Sequence, residues 1–308
     1  MDIRALRYFL AVAEFGSYSR AGEFLRISQP AISRQIRHLE QELDRTLFLR
    51  HGHGVDLTEA GRILLARSQV VLRQLDQARA EIRSGGAGPS GTITLAVPPA
   101  AGHFLVPTLA RRFAAAYPNV FLKIIGGYSG AIHEWLVRGQ VDLACVHDPL
   151  PQRGFETVPL IREPVFLVGR PGAFPSRRKH VTAAELAHLP LILTGRPNAS
   201  RRLLDGWMVR EGLSLDVRME VDDPSMIRAL LKEGLGFSLL SQGSFEADQR
   251  LGELRALPFR PRVHWQLMLI RAADARPSEI SIALTELIRA TVRDLQRSGR
   301  WPGVLLLG

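Results

Sequence analysis

The chain of 308 residues contains one cysteine, Cys145, so an internal disulfide, a paired-thiol redox site and a multi-cysteine metal site are all excluded within one copy. Lysine is nearly as scarce. Only Lys123, Lys179 and Lys232 are lysines among 40 basic residues, and arginine supplies the rest. No run reaches the roughly 18 apolar residues of a membrane span. The opening MDIRALRYFL has no apolar core followed by a small-residue cleavage site. The expectation is a cytoplasmic protein without a membrane partner. Catalytic signatures are also missing: there is no GxSxG elbow, no P-loop, no HExxH, and no dinucleotide fingerprint whose glycines follow a strand and open a helix. With 46% hydrophobic and 23% charged residues the composition is that of an ordinary globular protein of about two domains. The net charge of +10 points to an anionic partner.

Three zones follow one another. Residues 1–57 are helical in pattern. Residues 58–84 form one proline-free helical run, roughly 40 Å long at 1.5 Å per residue. Residues 84–91, SGGAGPSG, read as a linker. Beyond it, short apolar runs alternate with helical segments, the pattern of an α/β fold. In the first zone Leu6, Phe9, Leu10 and Ala13 recur at helical spacing until Gly16. A second short helix follows. Ser28 then stands as an N-cap with Pro30 in the first turn, and Ile32, Ile36, Leu39 and Leu43 make a buried stripe.

The opposite face of that third helix carries Gln29, Ser33, Arg34 and Arg37. Gln and Arg match base edges in a major groove, and Ser33 and Arg37 reach bases or phosphates. Two helices joined by a short turn make a helix-turn-helix. A helical bundle with a solvated polar face is the alternative. Residues 46–57 then give two strand-like pieces around a basic tip with Arg50, His51 and His53, a wing or a plain hairpin. The i, i+2 histidines have no third ligand nearby, so no metal is expected. Along residues 58–84, Leu64, Val71 and Ala78 recur every seven residues, with Leu75 and Ile82 interleaved at the same spacing. Such a seam pairs with a second copy or packs on the chain's own second domain. Two rival functions remain at this point: an enzyme using His133 with Glu134 or His147 with Asp148, and an architectural DNA binder that needs no ligand.

Residues 6–14 (LRYFLAVAE), 17–21 (SYSRA), 28–36 (SQPAISRQI), Leu39-Glu40, Leu47-Phe48 and 57–61 (LTEAG) resemble the LysR-type transcriptional regulators. Residues 127–130 (GYSG), 134–136 (EWL) and 141–143 (VDL) look most like a branch that includes nitrogen-assimilation-control regulators. The resemblance implies an α+β, multi-domain protein. Its parts would be a winged helix-turn-helix over residues 1–58, a linker helix and hinge over 59–90, and a two-lobed effector-binding domain over 91–308, built like a periplasmic binding protein. Lobe I would comprise 91–161 with 268–308, and lobe II 162–267. The implied partners are double-stranded promoter DNA, a small-molecule effector, RNA polymerase and further copies of the chain, as a dimer through the linker helix or a tetramer. The implied place of work is the cytoplasm, at the nucleoid. No cofactor and no catalytic residue is implied.

Carried onto this sequence, the DNA-binding set is Tyr18, Ser19, Arg20, Ser28, Gln29, Pro30, Ser33, Arg34, Arg37, Arg50 and His53. Ligands in open α/β sheets lie beyond the carboxyl ends of strands. That rule selects Pro99, Ala100 and Ala101, then Tyr128 and Ser129, then Thr194, Gly195 and Arg196, and finally Asp222 and Asp223. Arg196 would pair with a carboxylate, and the aspartates with an amine or hydroxyl. Turn and capping chemistry is the ordinary alternative for each. Two departures stand out. Ala100 and Ala101 occupy a loop where relatives often place Ser or Thr. His53 stands where relatives commonly carry arginine, so a pH-dependent charge replaces a permanent one. Residues 1–57 hold 8 basic and 7 acidic side chains, a net of only +1, while residues 91–308 hold 27 and 20, a net of +7. The DNA expectation therefore rests on Arg26, Arg34 and Arg37 in an acid-free stretch, with Arg45 and Arg50 near the wing.

Overall fold

A computed structural model describes residues 1–83, 89–150, 154–175, 177–196, 198–273 and 277–307. Most of the expected linker, residues 84–88, lies outside the described residues, as does Pro197 in one expected effector loop. The chain forms two compact units, Met1–Gly91 with Val137–Gln140, and Thr92–Leu136 with Val141–Gly308.

The first unit contains α1 (Ile3–Phe15), α2 (Tyr18–Leu25), α3 (Gln29–Leu43), β1 (Phe48–His51), β2 (Gly54–Leu57) and α4 (Glu59–Arg83). Capping sets the helix starts: the Asp2 carboxylate accepts from the Ala5 N–H at 2.6 Å, and the Ser17 hydroxyl from the Arg20 N–H. Phe9, Val12, Ala21, Ile32, Ile36, Leu39 and Leu47 fill the core. Each of these side chains except the small Ala21 contributes about 1.5–3 kcal/mol through removal from water. Glu40 accepts from the Leu47 N–H at 2.7 Å and fixes the approach to β1. Thr58 donates to the Thr46 carbonyl at 2.7 Å and accepts from the Gly61 N–H at 3.0 Å, which starts α4. A Cβ on Gly61 would lie 2.3 Å from the Leu47 carbonyl, so only glycine fits there. β1 and β2 form an antiparallel hairpin.

The second unit begins with β3 (Gly91–Val97), α5 (Pro99–Ala116), β4 (Val120–Gly126), α6 (Ser129–Val137), β5 (Leu143–His147) and β6 (Phe155–Gly169). It continues through α7 (Ala183–Leu186), β7 (Leu191–Leu193), α8 (Ala199–Arg210), β8 (Val217–Glu220), α9 (Pro224–Lys232) and β9 (Ser238–Ser241). It ends with α10 (Glu246–Arg250), β10 (Arg255–Pro258), β11 (His264–Ala272), α11 (Glu279–Arg297) and β12 (Leu305–Leu306). Strands run in the order β10-β6-β11-β5-β3-β4, with β9 and β12 also pairing to β6. β3 and β5 are parallel, as are β7 and β8.

The 15-residue β6 is the spine. Its first two-thirds pair with β11 and its last third with β9 and β10. The sequence shows a strand only over residues 165–168, because Pro159 and Pro164 interrupt the pattern. The structure accommodates Pro159 beside a register shift at Leu267/Met268, where Leu160 is left unmatched. One apolar cluster packs β3, β5 and β11 against α5 and α11, and a second gathers around Leu167, Leu191, Met208 and Leu239.

Candidate functional site

In the first unit, Arg50 on β1 joins three elements. Its guanidinium lies 5.2 Å from the centroid of the Tyr18 ring at the start of α2, and Nη2 donates to the Ser33 hydroxyl on α3 at 3.4 Å. Tyr18 also meets Phe48 edge-on at 5.9 Å. Burial and the nearby Glu40 carboxylate raise its phenol pKa, against a smaller opposing pull from Arg50. Ser19, Arg20, Ser28, Gln29, Pro30, Arg34, Arg37 and His53 are exposed. Ser28 sits at the N-cap of α3 without a side-chain capping bond, so its hydroxyl is left for other partners.

Ser33, expected on the exposed face, is buried at 6%. It lies beside Ile32 and Ile36 and under the Arg50 guanidinium, so its hydroxyl positions Arg50. His53 is at the hairpin tip, its N–H donating to His51 Nδ1 at 3.3 Å. Among the described residues no group of three metal-ligating side chains occurs.

The second unit contains a cleft whose open space, the solvent at its mouth included, is about 710 Å³. Pro99, Ala100, Tyr128, Ser129 and Thr194 line it. Asp222 and Asp223 stand at the adjoining mouth with Tyr128, Glu134 and Trp135. Burial, then Asp223 and Asp222, raise the Tyr128 phenol pKa. Asp222 Oδ1 accepts from the Gly195 N–H at 2.9 Å and the Asn198 amide at 2.8 Å, so it ties a loop together. Asp223 caps α9 by accepting from the Ser225 and Met226 N–H groups, and these bonds with the Ser225 hydroxyl hold its carboxyl below the usual range.

Two expected contacts are not in the cleft. Ala101 is fully buried in the core against the sheet, because α5 turns that face inward. Arg196 is 79% exposed, with Nε 3.5 Å from Asp205. Gly195 and Asp223 do take part in turn and capping bonds.

Several cleft residues were not among the expected effector contacts: His147, named only for the enzyme rival, and Arg201, Ser238, Ser241 and Trp265. His147 ends β5 and Ser241 ends β9, so the rule of strand carboxyl ends reaches both when applied to every strand. His147 Nε2 lies 2.5 Å from Glu163 Oε2, and Glu163 Oε1 accepts from the Trp301 indole at 3.0 Å. Arg201 donates to Asp205 at 3.0 Å, to Glu220 at 2.8 Å and to the Thr194 carbonyl at 3.2 Å. Ala100 comes close to the turn after β9, where a Cβ on Gly243 would lie 2.1 Å from its carbonyl oxygen.

Comparison with known proteins gives both units a family. Residues 3–62 match the bacterial regulatory helix-turn-helix protein, lysR family, and residues 86–293 match the LysR substrate binding domain. The HTH-type transcriptional regulator BbuR of Bordetella bronchiseptica is 30% identical over 98% of this chain and 94% of its own. The nitrogen assimilation regulatory protein nac of Escherichia coli is 29% identical over 95% of each chain, in accord with the branch suggested by residues 127–143. The full-length CbnR structure in complex with its target DNA superposes with a TM-score of 0.67 at 23% identity, covering 94% of this chain and 100% of that one. The matched family and relatives are transcriptional regulators, not enzymes, which removes the acid–base rival. The chain belongs to the LysR family, DNA-binding transcriptional regulators that carry an effector-binding domain.

Proposed function

We propose that this protein reads promoter DNA through Tyr18, Ser19, Arg20, Ser28, Gln29, Pro30, Arg34, Arg37, Arg50 and His53, with Ser33 positioning Arg50. The observation that carries the proposal is the Arg50 contact with both Tyr18 and Ser33, which ties α2, α3 and the hairpin into one surface. Gln29 and Arg34, exposed on the first turns of α3, are the base-reading pair, and Arg20, Arg37 and Arg50 suit phosphates. The working division is DNA reading by residues 1–58, pairing of copies by 59–90, and effector binding by 91–308 between lobes 91–161 with 268–308 and 162–267.

A homodimer through α4, and a tetramer built from it, matches paired half-sites. The same proposal has the protein work in the cytoplasm at the nucleoid, where effector occupancy alters its contact with RNA polymerase. Arg34→Ala is expected to weaken operator binding about 5- to 100-fold without changing the elution volume. An unchanged footprint on the promoter beside its own gene would remove α3 as the reading helix.

A further inference from the structure

The excess positive charge of residues 91–308 is gathered rather than spread. Arg177, Arg178 and Lys179 meet Arg255, Arg260 and Arg262 at one end of the second unit, with Arg162 of β6 beside them. One ion-paired carboxylate, Glu185, belongs to this group, so seven cations and one anion leave +6 of the +7 carried by residues 91–308. The fold draws three segments together here. Val181 bridges to Phe259, and the Arg260 N–H donates to the Val181 carbonyl at 2.9 Å, which sets residues 177–180 beside 260–262. Arg255 donates to the Arg178 carbonyl at 2.7 Å with its guanidinium over the Phe174 ring, and so braces the first of these loops. On the other flank, burial and then the positive fields of Arg262 and Arg162 push the His264 pKa down, so both guanidiniums share its surroundings.

Arg178 is committed to Glu185 at 2.5 Å. Arg162, Arg177, Lys179, Arg260 and Arg262 are exposed and make no ion pair among the described residues. Elsewhere in this unit Arg112, Arg218, Arg250 and Arg271 each have a carboxylate partner. Like charges held together repel one another, and an anionic partner relieves that repulsion. The setting favours a protein over duplex DNA as that partner. Arg177, Lys179, Arg260 and Arg262 lie on loops, and no helix or β-ribbon presents them to a groove. Apolar groups also stand among them: exposed Pro261 separates Arg260 from Arg262, half-buried Val263 follows, and Pro175 and Ala184 are exposed nearby in the chain. A protein surface covers such groups, together with arginine, where a phosphate backbone does not.

We propose that this end of the second unit is a docking surface for an acidic segment of a partner protein, with Arg177, Lys179, Arg260 and Arg262 pairing with its carboxylates and Pro261 and Val263 meeting its apolar side chains. The proposal goes beyond DNA reading and effector binding and depends on neither. Arg255 is a positioning residue, since it holds the loop that carries Arg177 and Lys179. Exposed ion pairs are individually weak, so affinity here is a sum of several and falls as salt rises.

The test uses the full chain saturated with a duplex of the promoter beside its own gene, so that the arginines of the first unit are covered. The probe is a fluorescein-labelled peptide rich in glutamate and aspartate with leucines between the acids, and its lysine-for-acid counterpart is the control. Fluorescence anisotropy is expected to show saturable binding of the acidic peptide alone. Arg260→Ala with Arg262→Ala is expected to weaken it about 3- to 10-fold, and Arg177→Ala with Lys179→Ala by a similar factor. Arg260→Lys with Arg262→Lys keeps the charge and is expected to recover most of the affinity. An unchanged melting temperature and unchanged promoter affinity show that the variants are folded. Absence of peptide binding to the wild type, or equal binding by the alanine variants, overturns the proposal. A fall in promoter affinity in those variants, with a shallower salt slope, also overturns it, because the surface would then belong to DNA.

Discussion

Glu163 shows how single side chains tie this molecule together. It is 2% exposed at the middle of β6, with one oxygen on His147 and the other accepting from Trp301. A carboxylate this deeply buried is tolerated only when both oxygens have partners. Trp301 also stacks on Phe104 of α5 at 5.6 Å. Trp301→Phe keeps an aromatic ring against Phe104 and removes the indole donor together with some buried ring volume. It is expected to cost about 1–3 kcal/mol, measured as a lower denaturation midpoint with unchanged slope. An unchanged midpoint would mean that Glu163 does not need the indole. Cys145, on β5 with β11 between it and β6, illustrates the inert case. Burial first, then Glu163, pushes its thiol pKa up to about 12, so the thiolate required for redox chemistry is not formed near neutrality.

At the scale of elements, what was legible in the sequence depended on how local its cause was. The stripe on α3 could be read because Ile32, Ile36 and Leu39 repeat at helical spacing, and all three are buried. Ser33 could not, because its hydroxyl's partner Arg50 lies 17 residues away on another element. β6 was half hidden by its prolines, whose tolerance depends on a register shift in β11. Of the cleft, the helix-start loops at Pro99, Tyr128 and Thr194 were found, while Ser241 and His147 reach it through strand pairing over long separations. The α4 seam was legible as a repeat, but its use was not. Val71 is 48% exposed and Ile82 80%, whereas Leu64 packs against the core of the first unit. Val71→Asp with Ile82→Asp should therefore leave that unit folded and reduce the mass seen by analytical ultracentrifugation to that of one chain. An unchanged oligomer mass would show that another surface pairs the copies.

For the whole molecule, net charge is a poor guide to where DNA binds. The larger share of the positive charge belongs to residues 91–308. Many arginines there are held by neighbours: Arg112 by Asp294, Arg201 by Asp205 and Glu220, Arg218 by Asp216, Arg250 by Glu246, and Arg271 by Glu156. By contrast, Arg20, Arg26 and Arg34 make no ion pair among the described residues. Arginines already paired release few counterions on binding a phosphate, whereas unpaired ones release about one each. The salt dependence of operator affinity should thus follow the first unit. Replacing Arg20 and Arg37 by alanine is expected to make the slope of log K against log salt shallower by about 2 per chain, or about 4 per dimer. Arg218→Ala, which removes as real a charge but one paired at 2.8 Å, should leave the slope in place. A slope that responds to Arg218 and ignores Arg20 and Arg37 would move the phosphate contacts to the second unit, and the +10 would then have indicated the partner through the right residues after all.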